Sequence, residues 1–322
     1  MTERYIRRHR LFYLIAAALV PLLLVVVPAG AEDGAPVRKL LERMTDASRN
    51  LDYRGIFTYE HAGILKSIEV FHLVRDGVEY EKLLYLNGPR RQILRHGEEV
   101  DCPRPGQVLM HQLPSPEMAG ERRDLAQFYD LRRRGEGRIA DRRVNIVHLV
   151  PRDGFRYGHV FSLDRETGLL LQSLLIGDNK RVLERFQFVD ISLSVPDADS
   201  LVAEAREHPP AEGVNCQPGK EVPMPARWHL AWVPPGFFAV DHRRHGNGIE
   251  SLLYTDGLAV FSVFVDPRGG SDFPEMRAQR GATIAQIAKQ TAADREYAVS
   301  VVGEIPPTTA DRVASFVTFR GH

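Results

Sequence analysis

Between Asp52 and Ile191 apolar residues recur at every second position in short runs, and each run stops at turn-forming residues. Period two is the period of a β-strand, whose successive side chains point to opposite faces. Phe57 and Tyr59 alternate with Thr58 and Glu60. Ala62-Gly63 separates this run from Ser67–Val74, Asp76-Gly77 leads into Val78–Leu86, and Asn87-Gly88-Pro89 precedes Arg91–Arg95. Strands resume at Arg138–Val150, and Tyr157, His159, Phe161 and Leu163 alternate cleanly. Asp164 to Gly168 turns into Leu169–Ile176, and Gly177-Asp178-Asn179 turns into Arg181–Ile191. So many consecutive strands with so few helices predict an antiparallel sheet, open or closed, in a sandwich or barrel.

Helical spacing appears only at the margins. Val37, Leu40, Leu41 and Met44 predict a helix from Pro36 to Asn50, with proline in the first turn where a missing N–H costs nothing. Leu125, Phe128 and Leu131 suggest a short helix over Asp124–Leu131, and Asp197 to Glu207 reads as a closing helix whose first acids suit the exposed N–H groups. Cys102 to Gly120 is a proline- and glycine-rich loop holding a short strand at Gln107–His111. In His208–Ala226 prolines and glycines replace periodic apolar residues, the signature of a linker.

Beyond it Phe237–His245, Ile249–Thr255 and Leu258–Asp266 form a meander, with Asp256-Gly257 as a two-residue hairpin signal. Ala282–Lys289 fits either strand or helix. Tyr297–Gly303 is a strand, and Thr309 is placed to cap a last helix carrying Val313, Phe316 and Val317. The fold class is mainly β (α+β). The chain divides into residues 1–31, a large domain at 32–207, the linker at 208–226 and a smaller sheet domain with a helix at 227–322.

Residues 1–31 read as an export signal. Arg4, Arg7, Arg8 and Arg10 precede an apolar run from Leu11 to Val27, and Ala29-Gly30-Ala31 is the small-residue pattern that a signal peptidase cuts after. The run is short for a membrane span and Pro21 interrupts it. The expected mature start is Glu32, and the expected location is the periplasm.

The full chain balances 42 basic against 42 acidic residues, and losing the arginine-rich leader leaves it slightly acidic. Nothing here has the basic footprint of a nucleic-acid binder. No nucleophile elbow, phosphate-binding glycine loop or zinc-protease helix motif occurs, so the chain reads as a binding protein without a catalytic site, metal or cofactor. His242 and His245 lack further ligands at metal-binding spacing and suit a solvated turn.

Two features suggest binding surfaces. Glu121–Arg143 holds eight arginines against five acids, densest at Arg132-Arg133-Arg134 and Arg142-Arg143. Guanidinium forks there could meet lipid phosphates or an acidic peptide, although mixed charge runs more often face solvent. Phe57, Tyr59, Phe71, Leu73, Tyr157, Phe161, Phe186 and Phe188 could line an apolar groove for acyl chains; a helix laid over the same face would make them core. Cys102 and Cys216 are the only cysteines, and export into an oxidising compartment makes one disulfide between them an expectation.

Four stretches in order carry a resemblance. They are Leu51-Asp52-Tyr53-Arg54-Gly55-Ile56-Phe57-Thr58-Tyr59, Leu86-Asn87-Gly88-Pro89-Arg90-Arg91, the run from Tyr254 to Val265, and Val301-Val302-Gly303-Glu304-Ile305-Pro306-Pro307. The chain resembles the RseB/MucB family of periplasmic regulators of envelope-stress sigma factors, from about Val37 to its C-terminus. The resemblance implies a large domain like the lipoprotein carriers LolA and LolB, an unclosed antiparallel barrel with helices against its concave face. It implies binding to the periplasmic part of an RseA/MucA-type anti-sigma factor, hindering its proteolysis, with lipopolysaccharide or related lipid as the releasing signal. A lipid-binding or lipid-carrier protein is the alternative on the same barrel, and self-association into a homo-oligomer stays open.

Overall fold

The computed structural model describes residues 34–96, 124–196, 198–207, 227–246, 248–268 and 274–320. The leader, the Gln107–His111 strand, the linker and both cysteines lie outside them.

Helix α1 spans Gly34–Asn50 and buries Val37, Leu41, Met44 and Ala47, one stripe at three- and four-residue spacing. Strands β1 (Tyr53–His61), β2 (Ile64–Arg75), β3 (Val78–Tyr85) and β4 (Arg91–His96) follow as successive hairpins. After a single 3-10 turn at Leu125–Gln127 come β5 (Tyr129–Ile139), β6 (Arg142–Pro151), β7 (Gly158–Asp164), β8 (Leu170–Ile176) and β9 (Val182–Ser192), then helix α2 (Ala198–Glu207). The nine strands form one antiparallel sheet in the order β4-β3-β2-β1-β9-β8-β7-β6-β5, with β4 and β5 as its edges.

The sheet's inner face is the one α1 covers. Along β5–β7 the helix packs on Tyr129, Leu131, Val147, Leu149, Phe161 and Leu163. Toward β1–β3 and β9 its end meets Tyr53, Phe57, Val70, Leu83, Phe186 and Phe188. Helix α2 covers part of the outer face, where Leu201 and Val202 pack on Leu73 and Tyr80.

The second sheet holds β11 (Phe238–Arg244), β12 (Glu250–Thr255), β13 (Val260–Asp266), β14 (Met276–Arg280), β15 (Thr283–Ala292) and β16 (Arg295–Gly303), in the order β11-β12-β13-β16-β15-β14. Helix α3 (Pro307–Ser315) buries Ala310 and Val313 in the core of this sheet. The short strands β10 (Trp228–Leu230) and β17 (Val317–Phe319) pair with each other beside it.

Several expectations need correcting. Asp124 does cap a turn, its carboxylate accepting from Ala126 N at 3.1 Å, but the helix stops there. Tyr129 and Leu131 already alternate inward in β5, which pairs with β6 from Tyr129 onward, so sheet pairing overrides the weak helical spacing. Within Arg138–Val150 the chain reverses at Ala140-Asp141, both with positive φ, as a two-residue hairpin requires. The ambiguous Ala282–Lys289 run is strand. Thr309 does not cap α3: Pro306 holds that position, while Thr309 sits buried in the first turn. Phe316 and Val317 lie past the helix end.

Two motif glycines have a steric reason. A Cβ at Gly55 would lie 2.6 Å from the Asp190 carbonyl oxygen, and one at Gly303 would lie 2.5 Å from that of Val260. Neither cross-strand contact tolerates a side chain.

Candidate functional site

The eight aromatic and aliphatic groove residues separate onto different surfaces. Phe57 pairs with Ile68 across β1 and β2, so Ile68 and Val70 share its inner face, while Phe71 and Leu73 point outward. Leu73 is fully buried under α2, and Phe71 is half-buried beneath the Arg54 guanidinium at 5.2 Å. Phe161 packs under α1, and Tyr157 packs with Leu175 and Ala282. Phe57, Phe186 and Phe188 remain together, with ring centroids 4.9 to 5.8 Å apart. Tyr59 extends the row and donates to the buried Glu184 carboxylate.

These three phenylalanines, with Tyr53, Val70, Leu83 and Ser48 of α1, line a partly open cavity of about 50 Å³. That admits on the order of three or four waters and no acyl chain. One wall is the buried carboxyl of Glu81. Burial pushes its pKa up to about 7, against the lowering influence of Arg95 and His72. His72 is buried beside it, its ring nitrogens 2.8 Å from Leu51 O and 2.9 Å from a Glu79 carboxylate oxygen. Burial is the largest single influence and opposes its protonation, but the bond and charge of Glu79, the Leu51 carbonyl and the Glu81 charge together outweigh it and raise its pKa.

The arginine-rich segment is the β5–β6 hairpin at the sheet edge. Three of its five singled-out arginines are paired within their own sheet. Arg132 donates to Asp130, Arg133 to Glu136 at 3.0 Å and Asn145 at 2.8 Å, and Arg142 to Asp164 at 2.8 Å and Glu166 at 2.9 Å. Arg134 and Arg143 are exposed and have no ion pair among the described residues. The segment is thus largely a self-neutralised surface.

Sequence reasoning missed the seam between the two sheets. The turn at Asp256-Gly257 is not the expected two-residue hairpin: Thr255 pairs with Val260, so four residues join the strands, and the longer loop drives Leu258 into the core under α1. Asp256 accepts from Leu258 N at 2.9 Å and Ala259 N at 2.8 Å with one oxygen. Its other oxygen accepts from Tyr129 Oη at 3.0 Å and from the Arg156 guanidinium. Arg156 is itself fully buried, donates to Asp153 and to the Pro235 carbonyl, and lies about 5 Å from the rings of Phe128 and Phe237. A second contact sets Ala282 against Tyr157, with Ala282 N donating to Glu184 at 3.2 Å. The Asp-Gly pair signalled a hairpin, but no local pattern marked Arg156 as its counterion.

The ring nitrogens of His242 and His245 lie 3.2 Å from Glu250 and 3.1 Å from Ser251. Among the described residues no helix is long and apolar enough to cross a membrane.

The family models for the MucB/RseB N-terminal and C-terminal domains match residues 36–211 and 223–318. The chain belongs to the MucB/RseB family. It is a periplasmic regulatory protein of that family rather than an enzyme. It is 36% identical over 306 residues to the sigma factor AlgU regulatory protein MucB of Pseudomonas aeruginosa, covering 90% of this chain and 93% of that one. It is 29% identical over 298 residues to the sigma-E factor regulatory protein RseB of Escherichia coli, covering 87% and 90%. The solved complex of Pseudomonas aeruginosa MucA and MucB matches with a TM-score of 0.72 at 33% identity, covering 89% of this chain and all of that one.

Proposed function

We propose that the protein binds the periplasmic segment of a MucA/RseA-type anti-sigma factor and slows its proteolysis. The match of nearly the whole fold to a MucB solved together with MucA carries this reading. A peptide must be free and extended to enter a protease, and holding it on a folded surface lowers that population by linkage. Among the described residues β11 and β14 are the outer strands of the second sheet, and α3 packs mainly on β15 and β16 and reaches β14 through Asp311 and Arg277, so strand addition at an edge of this sheet is the mode we infer. The test mixes the purified anti-sigma segment, its protease and the full protein. At about a hundredfold excess over Kd the cleavage rate should fall on the order of a hundredfold. Equal rates with and without the protein would refute the reading.

The finer architecture supports release by lipid. We read the nine-stranded sheet as an unclosed barrel of the LolA/LolB kind, residues 32–207 as its domain and residues 227–322 as the second, joined by 208–226. Lipopolysaccharide or another lipid would enter by lifting α1 from the aromatic cavity, which is too small as it stands. Ser48→Phe should fill that space and abolish lipid-triggered release while sparing anti-sigma binding. Unchanged release in the folded variant would exclude this route. A charge at Phe57 or Phe186 is a poor probe, since both are buried.

A further inference from the structure

Three hairpin turns meet at one end of the large sheet, and they gather exposed apolar side chains. The β1–β2 turn carries Ile64 and Leu65, the β3–β4 turn follows Leu86, and the β8–β9 turn precedes Val182; these four are 38 to 54% exposed. The turns are held together. Leu86 N donates to Ser67 O at 2.9 Å, and the Asn87 amide donates to Leu65 O at 3.0 Å and accepts from Ser67 N at 2.9 Å. His61 pairs with Glu184, which brings the start of β9 beside the Ala62-Gly63 turn.

The charge in the turns themselves is predominantly positive. Residues 61–66, 85–91 and 176–182 contain five lysines and arginines and a single acid, Asp178. Lys180 and Arg181 are exposed, and Lys66 and Arg91 lie 5.7 and 5.1 Å from the Tyr85 ring. Burial, with Arg280 and Lys66 nearby, holds the His61 pKa below its ordinary value.

Alternation decides what such a rim can touch. Ile68 faces the inner core, so Ile64 shares its side while Leu65 points to the other; Leu86, opposite Ser67, joins Leu65. A flat protein partner would cover one side and leave the other wet. A medium that surrounds the tips covers both, and apolar tips ringed by bases with an amphipathic tyrosine suit the headgroup layer of a membrane.

We propose that these three turns dip into the surface of an anionic bilayer, with Ile64, Leu65, Leu86 and Val182 among the headgroups and the surrounding bases on lipid phosphates. This is separate from the inner cavity and from anti-sigma binding. The test is co-sedimentation of the full protein with vesicles of equimolar phosphatidylcholine and phosphatidylglycerol, or of phosphatidylcholine alone. Binding is expected to the anionic vesicles only and to weaken with salt. Leu65→Asp with Leu86→Asp should weaken it at least about tenfold, and Lys180→Glu with Arg181→Glu should do so without touching an apolar group. Near-ultraviolet circular dichroism establishes that each variant is folded. Short-chain phosphatidylglycerol below its micelle concentration probes the cavity alone and should bind the variants and the parent equally. Undiminished vesicle binding by both folded variants, or equal binding to neutral vesicles, would overturn the proposal. Parallel loss of monomer binding would assign the lipid to the cavity instead. Loss of anti-sigma binding with vesicle binding intact would make the rim a protein contact.

Discussion

The two halves of the nine-stranded sheet use the same alternation of residues and arrive at opposite interiors. Along β5–β7 the inner face is sealed by α1 and by Leu258 from the second sheet, and a buried Arg156–Asp256 pair locks the seam. Along β1–β3 and β9 the phenylalanines leave a cavity, with a buried carboxyl in its wall. One half is fixed by an ion pair and close packing. The other keeps room to rearrange.

Breaking the lock should have the largest effect. Arg156→Met strands the Asp256 carboxylate and should cost about 3–5 kcal/mol in urea unfolding, because a buried charge loses its counterion. Arg156→Met with Asp256→Asn should recover part of that loss. A destabilisation below about 1 kcal/mol would show that the seam is solvated and the sealed half less fixed than its geometry implies.

The halves should also answer pH in opposite directions. His159, on the sealed half, is buried with neither ring nitrogen bonded among the described residues, and burial pushes its pKa down to about 4. The unfolded chain binds that proton from about 6.5, so stability is full above this pH and is lost as pH falls toward 4. Glu81, on the cavity half, keeps its proton when folded. Its contribution is full below about 4.5 and is lost as pH rises to about 7; raised His72 acts in the same sense. His159 and Glu81 are each worth roughly 3 kcal/mol. Urea midpoints should therefore vary little between about pH 4.5 and 6.5 in the parent. His159→Phe should become more stable on acidification across that window, and Glu81→Gln less stable. Identical slopes in the two variants would defeat the contrast.

The smallest difference concerns packing. Val70→Ile, at the cavity wall, should gain up to about 1 kcal/mol. Val147→Ile, in the sealed half, should lose about 1–3 kcal/mol by overpacking. Thermal melts that move both variants the same way would mean that the cavity is not spare volume.

Much of this fold was legible because strand period and turn chemistry are local. Phe57–Tyr59 and Asp76-Gly77 announce their conformations within a few residues, whereas Asp256-Gly257 announces a reversal but not its four-residue length. The faces were less legible. Phe57 and the pair Phe71 and Leu73 sit in runs that alternate alike, but which alternation shares a side depends on register, here Phe57 with Ile68. The Arg156–Asp256 pair spans a hundred positions, and nothing near Arg156 distinguishes it from the many surface arginines. The pairing of β5 with β6 likewise decided against a helix at Asp124–Leu131, and that pairing joins Tyr129 to Pro151, far along the chain.

The strand order has a consequence for how the chain reaches its fold. β1–β4 and β5–β9 are each a run of successive hairpins, able to form from neighbouring residues. The sheet becomes one only when β1 pairs with β9, as Arg54 meets Ser192. That step closes a very long loop and should come late, since loop entropy is lost before the pairing compensates it. Until then β1 and β9 are open edges rich in phenylalanine, the kind that templates pairing between chains. A newly exported molecule is therefore most prone to aggregate in the interval between making its hairpins and joining them.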